Sequence, residues 1–393
     1  MQNQEKKKVL IVTGTLSCGG ITSFLIPLVN ELSKRELCIS LAYTKDEGGY
    51  LSRIDSAVRR IPYKRPTKKQ AILACVKRLR LLDLLRIRFR NKKKTGAIAP
   101  IQRLAYASAS MTHIEGEMAE PYDIAISSAE FGSNAIVAHK INAARKIGWV
   151  HPDMGALNID VSAARKVLDR LDSVVAVSEA GYRSLCKKFP AYSQKFCCIE
   201  NILDAEWVAQ RSLDEVADIP VADGARTLVT VCRIDNSAKR VDRIIAVAKK
   251  MDEAGFAYRW YIIGEGPDKP MVEALIKDTG MEERVILLGK RENPYPYIRR
   301  ADIFALTSQY EGRPVVIEEA KCLRIPIVCT CYGAAREQVT EQYGRVVSNT
   351  DGVLEEEMAR CIMDGEWLGK TKASMPEYEE GAFDKVERLF SLF

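Results

Sequence analysis

Short apolar runs alternate with segments of helical periodicity from one end of the chain to the other, and the alternation restarts once near the middle. Short, continuously apolar runs fit strands buried on both faces, which means parallel sheets covered by helices. Strands are expected at 8–13, 38–43, 123–127, 146–150, 173–177 and 196–200, then at 227–232, 259–263, 285–288, 303–306 and 325–329. The chain has 393 residues, and single cores stop growing at about 250–300 residues. Two doubly wound α/β domains follow. Their boundary is expected within Asn201 to Arg226, in the acidic stretch L-D-E-V-A-D-I-P-V-A-D-G, dividing the chain into residues 1–203 and 204–378. Residues 379–393 are expected to form a helix packing back toward the first domain, with Phe383, Val386, Leu389 and Phe390 on one face.

Composition narrows the class. At 47% hydrophobic and 28% charged the chain is neither disordered nor membrane-spanning. Its eleven cysteines form no Cys-x-x-Cys pair, and reduced thiols of a cytoplasmic protein are the simplest reading. No apolar run approaches the roughly 18 residues of a membrane span, and the polar start, Met1 to Lys8, is expected to carry no export signal. The net charge of +7 is local: sixteen Lys or Arg stand against Asp55 and Asp83 between Arg53 and Lys94. There Ile72, Leu73, Val76, Leu79, Leu82 and Leu85 recur at helical spacing, with Lys77, Arg78, Arg80, Arg86, Arg88 and Arg90 between them, a basic amphipathic helix over 71–90. Three readings of it stay open: docking on the inner face of an anionic membrane, binding a phosphate-rich polymer, or a solvated face of its own domain. No RNA-recognition motif accompanies it, so no nucleic-acid partner is expected.

In open α/β sheets ligands bind at the carboxyl ends of the strands, so the following loops should carry the chemistry. The first offers Gly19 and Gly20 opening a helix, where a phosphate could approach the backbone. The loop after 227–232 offers Arg233, with Lys239 and Arg240 at the start of the next helix, cations suited to a diphosphate. The chain contains no Asp-x-Asp to hold a divalent ion, so no metal is expected. The segment T-S-Q-Y-E-G-R-P-V-V-I-E-E-A-K, Thr307 to Lys321, runs from a strand into a helix started by Pro314. With Val316, Ile317, Ala320 and Leu323 as its buried stripe, Glu319 should lie on the flank and Glu318 should point to solvent.

Glu311, Gly312, Pro314 and Glu319, with seven residues between the glutamates, resemble the retaining glycosyltransferases of family 4. Arg233, Lys239, G-E-G-P at Gly264 to Pro267, N-P-Y-P-Y-I from Asn293 and A-D-I-F-A-L-T-S follow in that family's order, and W-V-H-P-D, V-S-E and Asn201 with Asp204 match earlier. The resemblance implies the GT-B fold, two Rossmann-like domains facing each other across a crevice. It implies a metal-independent enzyme moving a sugar from a nucleoside-diphosphate donor, UDP- or GDP-linked, to a glycan or lipid-linked hydroxyl in surface polysaccharide synthesis. Arg233 and Lys239 would hold the diphosphate, joined by Gly19 and Gly20, and Lys239 would also stabilise the leaving group. Glu319 would take the ribose, and Glu311 the donor sugar, with Gly312, Arg313 and Pro314 beside it. Gly264, Gly266, Pro267, Lys290 and Asn293 would border the base. His151 would contact the sugar near the reacting carbon, and Glu130 and Asp153 would lie toward the acceptor. His113 and His139 are read as structural.

Arg313 and Lys321 stand where that family favours apolar residues, and Arg324 where it favours glycine; Arg313 is read as solvated, with recognition of a carboxylate on an unusual acceptor as the alternative. A nucleotide-sugar epimerase or hydrolase of the same fold is the rival enzyme, and a non-catalytic nucleotide-sugar-binding partner the rival of another class.

Overall fold

The computed structural model describes residues 6–67, 70, 99–155, 157–216, 218–219, 224–379 and 381–393. The basic stretch over 71–90, with Lys77, Arg78, Arg80, Arg86, Arg88 and Arg90, lies outside the described residues. Among those described, no helix is long and apolar enough to cross a membrane.

The run Val9, Leu10, Ile11 and Val12 is wholly buried, as a strand covered on both faces requires. It belongs to β1 (Lys7–Val12), which with β2 (Leu37–Tyr43), β3 (Arg59–Pro62), β4 (Tyr122–Ser127), β5 (Ala143–Val150), β6 (Ser173–Ala176) and β7 (Phe196–Cys198) forms a parallel sheet. The strand order is β3-β2-β1-β4-β5-β6-β7. A second parallel sheet holds β8 (Arg226–Val231), β9 (Tyr258–Ile263), β10 (Val285–Gly289), β11 (Ile303–Leu306), β12 (Ile327–Thr330) and β13 (Gly344–Val347). Its order, β10-β9-β8-β11-β12-β13, repeats the first six positions of the other sheet. In both, the order reverses beside the first strand, which makes the carboxyl ends of β1 and β4, and of β8 and β11, the switch points where a ligand fits.

The chain divides into two units, Met1–Ile202 with Gly381–Phe393, and Leu203–Glu380. In the first unit α1 (Gly20–Ser33) covers the sheet with Phe24, Leu25, Leu28 and Leu32, and α2 (Gly132–Lys140) follows β4. In the second, α3 (Val241–Glu253) and α4 (Val315–Cys322) follow β8 and β11. The core there is built on Leu228, Ile244, Trp260, Ile262, Ile303 and Val328. Trp260 Nε1 donates to Thr230 Oγ1 at 3.0 Å, so its one polar atom is satisfied inside that core.

Two strands of these two sheets were not foreseen, nor was the short pair Thr15–Leu16 and Lys45–Asp46. β3 and β13 are four-residue edge strands, and β3 buries Ile61 alone among R-R-I-P, too little apolar character to register as a run. The last helix, α5 (Ala382–Phe390), sends Val386 and Leu389 into the first unit's core and pairs Glu387 with Arg35 at 2.9 Å. Phe383 is 64% exposed at the rim of that face, with the Arg35 guanidinium 5.0 Å from its ring and 5.5 Å from that of Phe390.

Candidate functional site

The second unit gathers its charged residues at the carboxyl ends of β8 and β11. Arg233, just past β8, is exposed, its nearest ion-pair partner Asp235 at 4.0 Å. Lys239, before α3, contacts Glu311 from the loop after β11, and Ser308 Oγ donates to the same Glu311 Oε1 at 2.7 Å. Burial alone would lower the Lys239 pKa, but the Glu311 carboxylate outweighs it and holds the ammonium above the ordinary lysine value. The loops are fastened to each other: Gln309 N–H donates to Ala238 O at 2.8 Å, and Thr307 Oγ1 donates toward Arg240 O at 3.0 Å.

The segment after Glu311 corrects three expectations. Glu318 is 5% exposed rather than solvated. Its carboxylate accepts from Arg313 Nη2 at 2.8 Å, Gln338 Nε2 at 3.1 Å and Lys321 Nζ at 3.2 Å. Arg313, read as solvated, keeps 7% of its side chain exposed. The buried stripe is not one-sided either: Val316 and Leu323 are half-buried while Glu318, Glu319 and Lys321 are buried. Burial would raise the Glu318 pKa, but Arg313 and Lys321 hold it below the ordinary glutamate value. Glu319 is 4% exposed, and Tyr295 OH donates to it at 3.3 Å. Gln338 also donates to Pro314 O at 2.9 Å, tying down the loop behind Glu311 and Gly312.

Arg324, where glycine was expected, has φ 57. Ile325 N–H donates to Ala320 O at 3.0 Å and Arg324 N–H to Lys321 O at 2.9 Å, a Schellman ending with arginine in its left-handed position. Arg324 Nη2 donates to Met375 O at 2.9 Å.

The glycines after β9 have a structural task. A Cβ on Gly264 would meet Cys232 O at 1.8 Å, and one on Gly266 would meet Ile234 O at 2.0 Å, so the loop after β9 lies directly on the loop carrying Arg233. Pro267 and Lys290 are exposed on that side of the unit. Asn293 is held locally: its amide donates to Arg211 O at 2.8 Å and Asp214 Oδ2 at 2.9 Å, and its oxygen accepts from Tyr295 N–H.

In the first unit, Gly19 (φ 155) caps α1 and Gly20 begins it, with no side-chain hydrogen bond from the cap residue. His151 Nε2 lies 2.9 Å from Ser128 O, which assigns the proton to Nε2 and leaves Nδ1 as an acceptor. Burial against Phe24, whose ring centre is 4.8 Å away, pushes the imidazole pKa down, opposed by Glu130. Glu130 accepts from the His151 backbone N–H at 3.4 Å. Asp153 is used locally, accepting from Gly155 N–H at 2.9 Å and from Ser184 Oγ.

Sequence reading passed over Arg243, Gln338 and Tyr63. Arg243 is buried on α3, and its signal was an arginine set within V-D-R-I-I-A-V. Tyr63 OH donates to Thr13 O at 2.6 Å near the end of β1, from a segment without apolar periodicity.

Residues 214–379 match the family described as glycosyl transferases group 1. These residues form a glycosyltransferase group 1 domain. The domain contains Arg233, Lys239, Glu311 and Glu319; Gly19, Gly20, Glu130, His151 and Asp153 lie outside it. The chain is 26% identical over 220 residues to the N-acetylgalactosamine-N,N'-diacetylbacillosaminyl-diphospho-undecaprenol 4-alpha-N-acetylgalactosaminyltransferase of Campylobacter jejuni, covering 56% of this chain and 58% of that protein. It is 23% identical over 385 residues to the putative glycosyltransferase EpsF of Bacillus subtilis, covering 95% and 93%. Among solved structures it resembles Anabaena Alr3699/HepE in complex with UDP-glucose, with TM-score 0.70 and 15% identity over 98% of this chain and 100% of that one. TarM is similar with TM-score 0.66 and 14% identity over 100% and 99%. The fold around the glycosyltransferase domain is GT-B, built from two parallel-sheet α/β units.

Proposed function

We propose that the chain is a retaining, metal-independent glycosyltransferase of the family 4 type, moving a sugar from a UDP- or GDP-linked donor to a hydroxyl of a glycan or lipid-linked acceptor in surface polysaccharide synthesis. The observation that carries this reading is the contact of Lys239 with Glu311 at the switch point of the second sheet, with Arg233 exposed on the same strand end. In the reaction the bond from the sugar's anomeric carbon to the β-phosphate oxygen breaks, and the acceptor oxygen bonds to that carbon. The acceptor proton passes to the leaving phosphate, whose attack-side position preserves the anomeric configuration. Lys239 and Arg233 meet the charge growing on the diphosphate, which is where preorganised cations lower a barrier most. Glu311 orients the sugar and Glu319 the ribose. His151 and Glu130 serve the acceptor reaction from the first unit. The relatives support a nucleotide-sugar substrate: HepE is in complex with UDP-glucose, and the Campylobacter protein's name specifies an undecaprenol-diphosphate acceptor.

A thermal-shift screen with UDP, GDP and their sugars, with and without EDTA, tests the reading. A ligand at 100 times its Kd adds about 2.7 kcal/mol to the state that binds it. We expect a shift with one nucleotide class, unchanged by EDTA and lost in Lys239→Ala. No shift in a folded sample would overturn the donor assignment, and a shift abolished by EDTA would overturn metal independence. Peripheral attachment through Lys77, Arg78, Arg80, Arg86, Arg88 and Arg90 belongs to the same proposal. Liposome co-sedimentation that ignores anionic lipid would remove it.

A further inference from the structure

The loops carrying Lys239 and Glu311 are joined by a side chain that hydrogen-bonds to neither residue. Arg243, 2% exposed, donates from Nε to Asp351 Oδ1 at 2.7 Å, from Nη1 to Asn349 Oδ1 at 2.6 Å and Thr307 O at 3.2 Å, and from Nη2 to Gln309 Oε1 at 2.8 Å and Asn349 O at 3.1 Å. Five acceptors meet the five N–H donors of a guanidinium, so the group is held with no donor to spare. Three segments converge on it: α3, whose start follows Lys239; residues 307–309, which lead to Glu311; and residues 349–351 after β13. Asp351 is shared with Arg240 at 3.1 Å, and Gln309 N–H reaches back to Ala238 O, so both ends of the assembly close on the Lys239 loop.

We propose that Arg243 is a positioning residue, setting the register of the Lys239 loop against the Glu311 loop and so fixing the contact between those two side chains. Its consequence for catalysis rests on the donor reading above. The register itself does not. A lysine carries the charge but lacks the planar fork, so Arg243→Lys would satisfy fewer of the five acceptors. Arg243→Met keeps the volume and removes every bond, and Gln309→Leu removes the bonds that Gln309 Oε1 accepts from Arg243 Nη2 at 2.8 Å and from Arg240 Nη1 at 3.4 Å.

The first measurement is competitive acetylation of the unliganded full chain, read by mass spectrometry at Lys239 and at exposed Lys249. In the wild type Glu311 shields Lys239; in Arg243→Met and Gln309→Leu we expect Lys239 to label several-fold faster and Lys249 at an unchanged rate. The second is UDP release from UDP-glucose and UDP-N-acetylglucosamine. There kcat should fall by about 100-fold in Arg243→Met, as a misplaced catalytic group costs, while KM for the donor stays near the wild-type value. The double variant should be no slower than Arg243→Met alone. Wild-type labelling of Lys239 in either folded variant would overturn the proposal, as would losses that multiply independently in the double variant. If Arg243→Met does not fold, Gln309→Leu carries the labelling test. A wild type that binds and cleaves no nucleotide sugar removes the donor reading, and the labelling experiment still decides the register.

Discussion

Arg313 Nη2 donates to Glu318 Oε1 across 2.8 Å with only 7% of either side chain exposed, and Lys321 approaches the same carboxylate from the other side. One buried anion thus answers two buried cations behind the loop that carries Glu311. Removing it alone leaves like charges uncompensated, so Glu318→Gln should cost about 3–5 kcal/mol in chemical denaturation. The variant Arg313→Met, Glu318→Leu, Lys321→Met should recover most of that loss. A Glu318→Gln cost below about 1 kcal/mol, the value of a surface pair, would contradict the buried-network reading.

The same carboxylate gives an acid-side signature. Its folded pKa lies below the ordinary glutamate value, so the unfolded chain binds the proton more readily. The stabilisation is present above the ordinary glutamate pKa of the unfolded chain and is lost as pH falls through the folded value. Denaturation midpoints between pH 7 and pH 3 should fall more steeply in the wild type than in Glu318→Gln.

His151 titrates in a different window. Burial lowers its folded pKa below 6.5, and burial does the same at His139, so unfolding takes up protons below that pH. The stability of the first unit should be complete above 6.5 and decline on acidification toward the depressed folded values. His151→Asn should flatten the slope and leave the share contributed by His139. Identical slopes in wild type and variant would show that the imidazole is not protected from protonation by burial.

At Arg324 the left-handed φ of 57 opposes the bond from its guanidinium to Met375 O. Arg324→Ala keeps the backbone strain and loses the bond, whereas Arg324→Gly loses the bond and relieves the strain. The glycine variant should be more stable than the alanine variant by about 1 kcal/mol in urea denaturation. The reverse order would remove the strain from the account.

Gly264 is the most demanding glycine in the second unit. Alanine there would bring its Cβ to 1.8 Å from Cys232 O at a φ of 151. Gly264→Ala should destabilise by about 3 kcal/mol, and because it pushes on the loop bearing Arg233 it should also weaken UDP binding by calorimetry. Gly224→Ala shares a positive φ, but among the described residues no atom lies within 4 Å of its added Cβ, and it should leave UDP binding unchanged.

Apolar runs reported most of the architecture, since a strand buried on both faces, such as β1 or β11, must be written almost entirely in Val, Ile, Leu, Phe and Ala. They also indicated which loops would carry Arg233, Lys239 and Glu311, because parallel strands place all their carboxyl ends on one side of a sheet. Edge strands β3 and β13 escaped notice because they bury few residues.

Local periodicity determined that 315–322 is a helix and which of its residues share a face. Whether a face meets solvent was decided elsewhere. Glu318 became buried because Arg313, Lys321 and Gln338 close around it, and Gln338 lies 20 residues away. Lys239 and Glu311 meet across 72 residues of sequence, held by the guanidinium of Arg243. Sequence patterns record the neighbours a residue has along its own helix or strand, so they determined the elements and their order. The pairing of charges depends on which loops the sheet brings side by side and on how completely water is excluded there, and only the tertiary structure decides both.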